Sequence, residues 1–137
     1  KLEALRPEIL ANFVAGFATE EETSAEIKRV YQEANYIEDP HTAVASAVYH
    51  AYREETGDQR PVVIASTASS YKFPRVAVSA VSGQDSGDDF KAVEELHNLS
   101  GVAIPQAVAG LEKAEVRHKT VVATADMQKA VEDYLGV

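Results

Sequence analysis

Residues 62–74 constrain the fold more than any other part of this chain of 137 residues. An apolar run is followed by a cluster of hydroxyl side chains, then by a basic residue, an aromatic residue and a proline. The run 62–66 is typical of a strand buried on both faces, and the proline suits the first turn of a helix over 73–82. Open α/β sheets bind ligands at the carboxyl ends of their strands. Three polar side chains stand at that position: Ser66, Thr67 and Lys72.

Helical patterns dominate the rest of the chain. Thr19 and Glu22 form a capping box, in which each side chain satisfies a free backbone N–H at the start of a helix. Asp39 is a good N-cap for another helix, which Gly57 ends. The predicted helices cover residues 20–34, 40–55, 73–82, 89–99, 105–112 and 124–135, and the predicted strands cover 62–66 and 119–123. The sequence thus predicts an α/β fold: a helix-rich segment with a few parallel strands.

The apolar residues of two helices are expected to fall on single faces. The buried face of helix 40–55 is predicted to contain Val44, Val48, Ala51 and Tyr52. The apolar side of the last helix is predicted to contain Met127, Ala130, Val131, Tyr134 and Leu135. A sheet of two strands would be narrow, and apolar faces that it left uncovered would favour self-association.

Composition excludes several classes of protein. The length fits one domain, residues 1–137. The net charge is −9, and this argues against a nucleic-acid or anionic-membrane surface, since both require clustered Lys and Arg. Cysteine is absent, so disulfides and thiolate metal sites are excluded. No apolar run reaches the length of a membrane span, and the N-terminus does not resemble a signal peptide, so we expect a cytoplasmic protein. Because the chain lacks an initiator Met, we expect it to begin at a processed or cropped point.

The sequence predicts no metal site and no hydrolase site. The four histidines, His41, His50, His97 and His118, have no helical ligand spacing, and no H-E-x-x-H motif occurs. No G-x-S-x-G motif occurs either, so the serines do not indicate a hydrolase.

The segment with Asp39, His41 and Thr42 has the composition of a catalytic site, but a simpler interpretation is available. Helix capping explains Asp39 and the following Pro40, and His41 is then either structural or a polar residue beside a pocket. The hydroxyls of Ser66 and Thr67 likewise either bind a ligand or satisfy backbone groups where the strand ends.

Three segments together resemble the C-terminal part of threonine synthase, an enzyme that depends on pyridoxal phosphate (PLP). Residues 66–73 resemble the family motif S-T-A-x-P-x-K-F. Residues 39–45 resemble its D-P-H-T-A-V segment, and residues 15–23 resemble a third. Their order and separation are also similar, and the resemblance extends over the whole chain. Ser70 departs from the family, in which proline is usual, and a proline would fix φ in that turn.

The resemblance implies a role for each matching residue. In PLP enzymes of this fold type a hydroxyl commonly lies at the pyridine nitrogen, so Thr67 is the first candidate for cofactor binding and Ser66 the second. Lys72 is a weaker candidate for the phosphate of the substrate, because a solvated or ion-paired lysine explains it as well. The family's PLP-linking lysine lies in an upstream motif like S-F-K-D, and no lysine of this chain has that context. We therefore expect no catalytic residue in this chain and no PLP bound to it alone.

Two hypotheses follow. In the first, the chain is the C-terminal segment of a threonine synthase, part of a larger PLP-binding α/β domain, and it is inactive alone. The complete enzyme would convert O-phosphohomoserine and water to threonine and phosphate. In the second, the chain is a non-catalytic α/β module or excised fragment that associates with itself.

Overall fold

The computed structural model describes residues 2–137, and side chains from residue 3 onward. Helices are the regular elements of this region. The α-helices are α1 (Leu2–Leu10), α2 (Glu20–Ala34), α3 (Pro40–Thr56), α4 (Pro74–Ser82), α5 (Asp89–Ser100) and α6 (Met127–Leu135). Short 3-10 helices cover Ser70–Lys72, Leu111–Lys113 and Thr124–Asp126. Within residues 2–137, every helix is too short or too polar to cross a bilayer.

The ends of the helices follow the local sequence. Thr19 and Glu22 form the predicted capping box of α2, with the Thr19 N–H donating to Glu22 Oε2 at 2.7 Å. Asp39 caps α3 and Pro40 follows at its first position. Gly57 ends α3 with φ +69°, a left-handed backbone that glycine adopts without strain. The predictions for α2, α3, α4 and α5 are therefore confirmed, with bounds that differ by at most one residue.

The core lies between four helices. Helix α2 packs against both α3 and α4, and α5 packs against α4. Ile27 and Leu96 are the largest fully buried apolar side chains. The helices approach closely because small residues face the interior, namely Ala43, Ala77 and Ala92. The burial of these apolar surfaces is the main source of stability for this part of the chain.

The two predicted strands are wrong, and residues 2–137 contain no β-strand. Residues 62–66 and 119–123 have no regular secondary structure and form no ladder. A strand is stabilised only when a neighbour satisfies its N–H and C=O groups. No such neighbour lies within the described region, and Val63 and Val121 are 94% and 93% exposed. The fold is therefore helical here, and the expected few parallel strands are not present.

Three further predictions need correction. Residues 105–112 form turns and the start of the 3-10 helix Leu111–Lys113, not one helix. Helix α1 was not expected from the sequence. The most buried residues of α3 are Thr42, Ala43 and Ser46, whereas Ala51 is exposed and its apolar neighbours on the expected face are half-buried. The polar members of this face are buried because they hydrogen-bond to other buried groups.

Helix α6 confirms the prediction for 124–135, although its first turn is the 3-10 helix Thr124–Asp126. Its apolar face is not covered within the described region. Tyr134 is 90% exposed, and Met127, Val131 and Leu135 are also exposed. This face is available to a partner surface.

The N-caps Thr19 and Asp39 differ in burial, and this difference sets the loss of stability expected when each cap is removed. Thr19 is exposed, so Thr19→Ala should lower the free energy of unfolding by about 1 kcal/mol, the usual cost of a lost cap. Asp39 is 1% exposed, and Asp39→Ala would also leave buried donors without a partner. We expect a loss of about 2–3 kcal/mol, measured by urea unfolding. Equal losses for the two variants would contradict a special role for burial at Asp39.

Candidate functional site

The start of α3 is organised around the carboxylate of Asp39. Its Oδ1 accepts hydrogen bonds from the backbone N–H of His41 at 3.0 Å and of Thr42 at 3.4 Å. Its Oδ2 contacts the Thr42 hydroxyl. Burial raises the pKa of Asp39, but the hydrogen bonds from Thr42 and His41 outweigh it and hold the pKa below its usual value. Asp39 is thus a carboxylate at neutral pH although its side chain is buried.

Two contacts join this helix start to residues 66–73. The Thr42 hydroxyl lies 3.1 Å from Ser66 Oγ. The rings of His41 and Phe73 lie with their centroids 5.0 Å apart at an angle of 52°. The junction, which we define as residues 39–42 with residues 66–73, therefore brings together two segments separated by more than twenty residues of chain.

The three predicted site residues, Ser66, Thr67 and Lys72, differ from one another in their surroundings. Ser66 is tied to Thr42 at the junction. Thr67 follows it and is exposed. Lys72 is exposed at the end of the 3-10 helix, with its Nζ 5.8 Å from the centroid of the Phe73 ring. The hydroxyl cluster and Lys72 thus lie at the two ends of one short turn, whose Tyr71 is buried.

The segment 15–23 also approaches the site. A Cβ atom at Gly16 would lie 2.7 Å from Val48 Cγ1, so only glycine lets the backbone pass this close to α3. Glu20 and Ser24 then line the same groove as Lys72. Of the three motif segments, 39–45 therefore begins α3, 15–23 passes close to α3 and reaches the groove, and 66–73 contacts the start of α3 and lines the groove.

This groove is open and has a volume of about 960 Å³. Its walls come from the 3-10 turn, α4, α5 and the turn after residue 105. Most of the lining is apolar, with Tyr71, Phe73, Pro74, Phe90, Val93 and Val108 among its residues. Charged side chains lie at its edge: Glu20, Lys72, Arg75, Asp85 and Asp89. Arg75 and Asp85 pair with each other, with an Nη2–Oδ2 distance of 2.6 Å, so the other charged residues of the groove are Lys72, Glu20 and Asp89.

A buried polar cluster lies behind the junction, and sequence reasoning missed it. Arg29 binds both oxygens of Glu26, at 2.8 and 2.6 Å, and Ser46 donates to Glu26 Oε1 at 2.6 Å. The hydrogen bonds from Arg29 are the main cause that lowers the pKa of Glu26. Glu26 could have been found, because it shares the inward face of α2 with Thr23 and Ile27.

Glu38 is the buried carboxyl that no sequence pattern indicates. It is 6% exposed, and its Oε2 has no hydrogen-bond partner within the described residues. Burial raises the pKa of Glu38 to about 7, and the carboxylates of Glu26 and Asp39 add to this while Arg29 opposes it. The folded chain is therefore more stable when Glu38, which neighbours Asp39 in the sequence, carries a proton.

The sign of the pH dependence follows from this pKa. In the unfolded chain Glu38 loses its proton near its usual pKa of 4.5, and in the folded chain near 7. Between these values the folded state binds more protons, so Glu38 favours folding below pH 4.5 and this contribution is lost as the pH rises through 7.

We expect Glu38→Gln to remove this pH dependence. The free energy of unfolding of the wild type should fall from pH 5 to pH 7 relative to the variant, with a slope of at most about 1.4 kcal/mol per pH unit. Glu55→Gln is the matched control, because Glu55 is exposed on α3. Parallel pH profiles for wild type and Glu38→Gln, measured by urea unfolding, would show that Glu38 is ionised in the fold.

Comparison with known proteins gives one family. The family model described as "Threonine synthase, C-terminal" matches residues 42–135. Human "Threonine synthase-like 1" is 32% identical over 127 residues, which cover 91% of this chain and 17% of the relative. "Threonine synthase" of Schizosaccharomyces pombe is 37% identical over 83 residues, which cover 57% of this chain and 16% of the relative.

The chain spans about one sixth of the length of the curated relatives it matches. The family match begins at Thr42 and includes the whole of segment 66–73. These findings confirm the resemblance indicated by the motif segments: the chain belongs to the threonine synthase family and corresponds to its C-terminal region.

Proposed function

We propose that this chain forms one wall of the PLP site in a longer threonine synthase. The complete enzyme would convert O-phosphohomoserine and water to threonine and phosphate. Family membership supports the proposal, and the observation that carries it is the hydrogen bond between Thr42 and Ser66. That bond brings two family motifs together at an accessible hydroxyl cluster. The proposed location is the cytoplasm.

The chemistry of the hydroxyl cluster fits the pyridine side of PLP. The pyridine nitrogen accepts a hydrogen bond when it carries no proton, and a neutral hydroxyl can donate one. Thr67 is exposed beside Ser66, whose position is fixed by Thr42, so a ring can reach it. PLP when bound supplies an electron sink to the reaction. Thr67 is the first candidate to bind the ring nitrogen and Ser66 the second.

A neutral partner at the ring nitrogen has a chemical consequence. A carboxylate in that position would stabilise a protonated ring, and the electron-withdrawing power of the ring would increase. Thr67 binds and orients the ring without this effect.

Lys72 is the proposed contact for the substrate phosphate. It is exposed at the edge of an open groove, and its charge suits a phosphate ester. Glu20 lies at the same edge and would repel the phosphate, so Lys72 carries less of the proposal than Thr67 does.

The catalytic lysine of the proposed enzyme is not assigned to any residue of this chain. No lysine here lies in a context like S-F-K-D. The proposal therefore expects the 137 residues alone to be inactive and not to hold PLP. It places the groups that form and break bonds elsewhere in the longer enzyme.

A self-associating module without catalysis is the second candidate function. The observation that favours it is the exposed apolar face of α6, which includes Met127 and Tyr134. A module of this kind would not depend on the identity of residue 67, and this separates the two candidates.

Substitution of Thr67 in the complete enzyme tests the proposal. Thr67→Val keeps the shape but removes the donor, and turnover of O-phosphohomoserine should fall by the equivalent of about 1–3 kcal/mol. Thr67→Ser keeps the hydroxyl and should be mild. Thr67→Asp should protonate the ring nitrogen and change the absorption spectrum of the bound cofactor.

Ser66→Ala is the matched control. If Thr67→Val and Thr67→Asp both behave as wild type while Ser66→Ala loses activity, the ring contact belongs to Ser66. If all four variants turn over substrate and bind PLP as the wild type does, the hydroxyls are structural and the proposed site is wrong.

A further inference from the structure

Three side-chain oxygen atoms at the junction are in successive contact, from the buried carboxylate of Asp39 through Thr42 to the exposed Ser66. Asp39 Oδ2 contacts Thr42 Oγ1, and Thr42 Oγ1 lies 3.1 Å from Ser66 Oγ. Asp39 Oδ1 is already used, since it accepts from the backbone N–H groups of His41 and Thr42. The two oxygens of the carboxylate thus have separate tasks: Oδ1 caps α3 and Oδ2 faces Thr42.

Counting protons fixes the direction of these hydrogen bonds. The Thr42 hydroxyl has one proton and two oxygen neighbours. An ionised carboxylate can only accept, so the Thr42 proton is donated to Asp39. The contact between Thr42 and Ser66 is then satisfied only if Ser66 donates its own proton to Thr42 Oγ1.

Ser66 is exposed to water, but among the protein groups of the described residues its hydroxyl has no equally good alternative acceptor. The other contact of its hydroxyl is with the carbonyl oxygen of Ala68, at 3.5 Å. That distance is too long for a strong hydrogen bond between a hydroxyl and a carbonyl. Thr42 therefore holds the Ser66 proton on the inner side of the junction.

We propose that Asp39 and Thr42 form a positioning relay that turns the Ser66 proton inward, so that Ser66 offers only lone pairs to a ligand and Thr67 is the hydroxyl that donates. This inference rests on the proposed function, because it assigns the donor to the ring nitrogen of PLP. Asp39 and Thr42 are positioning residues, since they act through Ser66 and do not touch the cofactor themselves.

The variant Asp39→Asn reverses the relay without removing the cap. The amide oxygen of Asn must take the place of Oδ1, because the two backbone N–H groups require an acceptor there. Its NH2 group then replaces Oδ2 and donates to Thr42 Oγ1. Thr42 donates in turn to Ser66, and the Ser66 proton is released toward the ligand.

The experiment measures the dissociation constant of PLP for the complete enzyme in two backgrounds. In the wild-type background we expect Thr67→Val to weaken binding about tenfold, the loss of one donor to a buried acceptor. In the Asp39→Asn background Ser66 can donate instead, and the same substitution should cost less than about threefold. A merely structural role of Asp39 would leave the two losses equal, and equal losses would overturn the relay.

A double-mutant cycle on the free energy of unfolding, measured without cofactor, tests the relay independently of the proposed function. Thr42→Val and Ser66→Ala each remove the hydrogen bond between these two residues. The double variant should therefore be no less stable than the less stable of the two single variants. Thr42→Ser keeps the hydroxyl and should retain most of the stability. Additive losses would overturn the relay. Coupled losses, together with a Thr67→Val variant of the complete enzyme that binds PLP as tightly as the wild type, would support the contact between Thr42 and Ser66 and would refute the cofactor role of Thr67.

Discussion

The buried carboxylate of Asp39 is the interaction on which the site depends. It is 1% exposed and ionised, and it is stable there only because backbone and hydroxyl donors surround it. One oxygen starts α3, and the other holds Thr42, which in turn holds Ser66. A single charge therefore fixes the start of a helix and the position of a distant turn. The neighbouring Glu38, whose pKa is raised to about 7, is protonated below that pH and then adds no second negative charge at this place.

Apolar residues are buried between helices α2 to α5 but are exposed in other parts of the chain. Helices α2 to α5 bury Ile27 and Leu96 completely. Val63, Val121 and Tyr134, by contrast, are almost fully exposed. Apolar side chains such as those of segment 62–66 are unfavourable in water unless another surface covers them. The proposal that this chain works within a longer enzyme supplies such a surface, and the matched stretches cover only 17% and 16% of the human and S. pombe relatives.

Features that depend on neighbouring residues in the sequence were predictable. The capping box of Thr19 and Glu22, the cap at Asp39 and the stop at Gly57 are all local, and each is present. Features that depend on distant residues were not. Residues 62–66 have the composition of a strand but no neighbouring strand within residues 2–137, and Glu38, in the link between α2 and α3, is buried although its local sequence does not indicate it.

The candidate site shows the same difference between local features, which were predictable, and tertiary contacts, which were not. The motif segments indicate Ser66 and Thr67 as candidates, and the resemblance to the family ranks Thr67 before Ser66. The contact between Thr42 and Ser66 joins residues 24 positions apart, so the sequence did not predict it, and the proposed relay uses it to support the same order. In the proposed relay, the carboxylate of Asp39 sets the direction of these hydrogen bonds through Thr42. Local patterns thus indicate the candidate residues, and in the proposal a buried charge orients their hydroxyls.

The most direct test of this account is a disulfide at the junction. The chain contains no cysteine, so a pair introduced as Thr42→Cys and Ser66→Cys would be the only thiols present. With the two hydroxyl oxygens 3.1 Å apart, small movements bring the sulfur atoms to bonding distance. We predict rapid cross-linking of this pair under mild oxidation, seen as a loss of free thiols, and slow cross-linking of the control pair Thr42→Cys with Thr67→Cys. Equal rates for the two pairs, or no cross-link between positions 42 and 66, would contradict the junction.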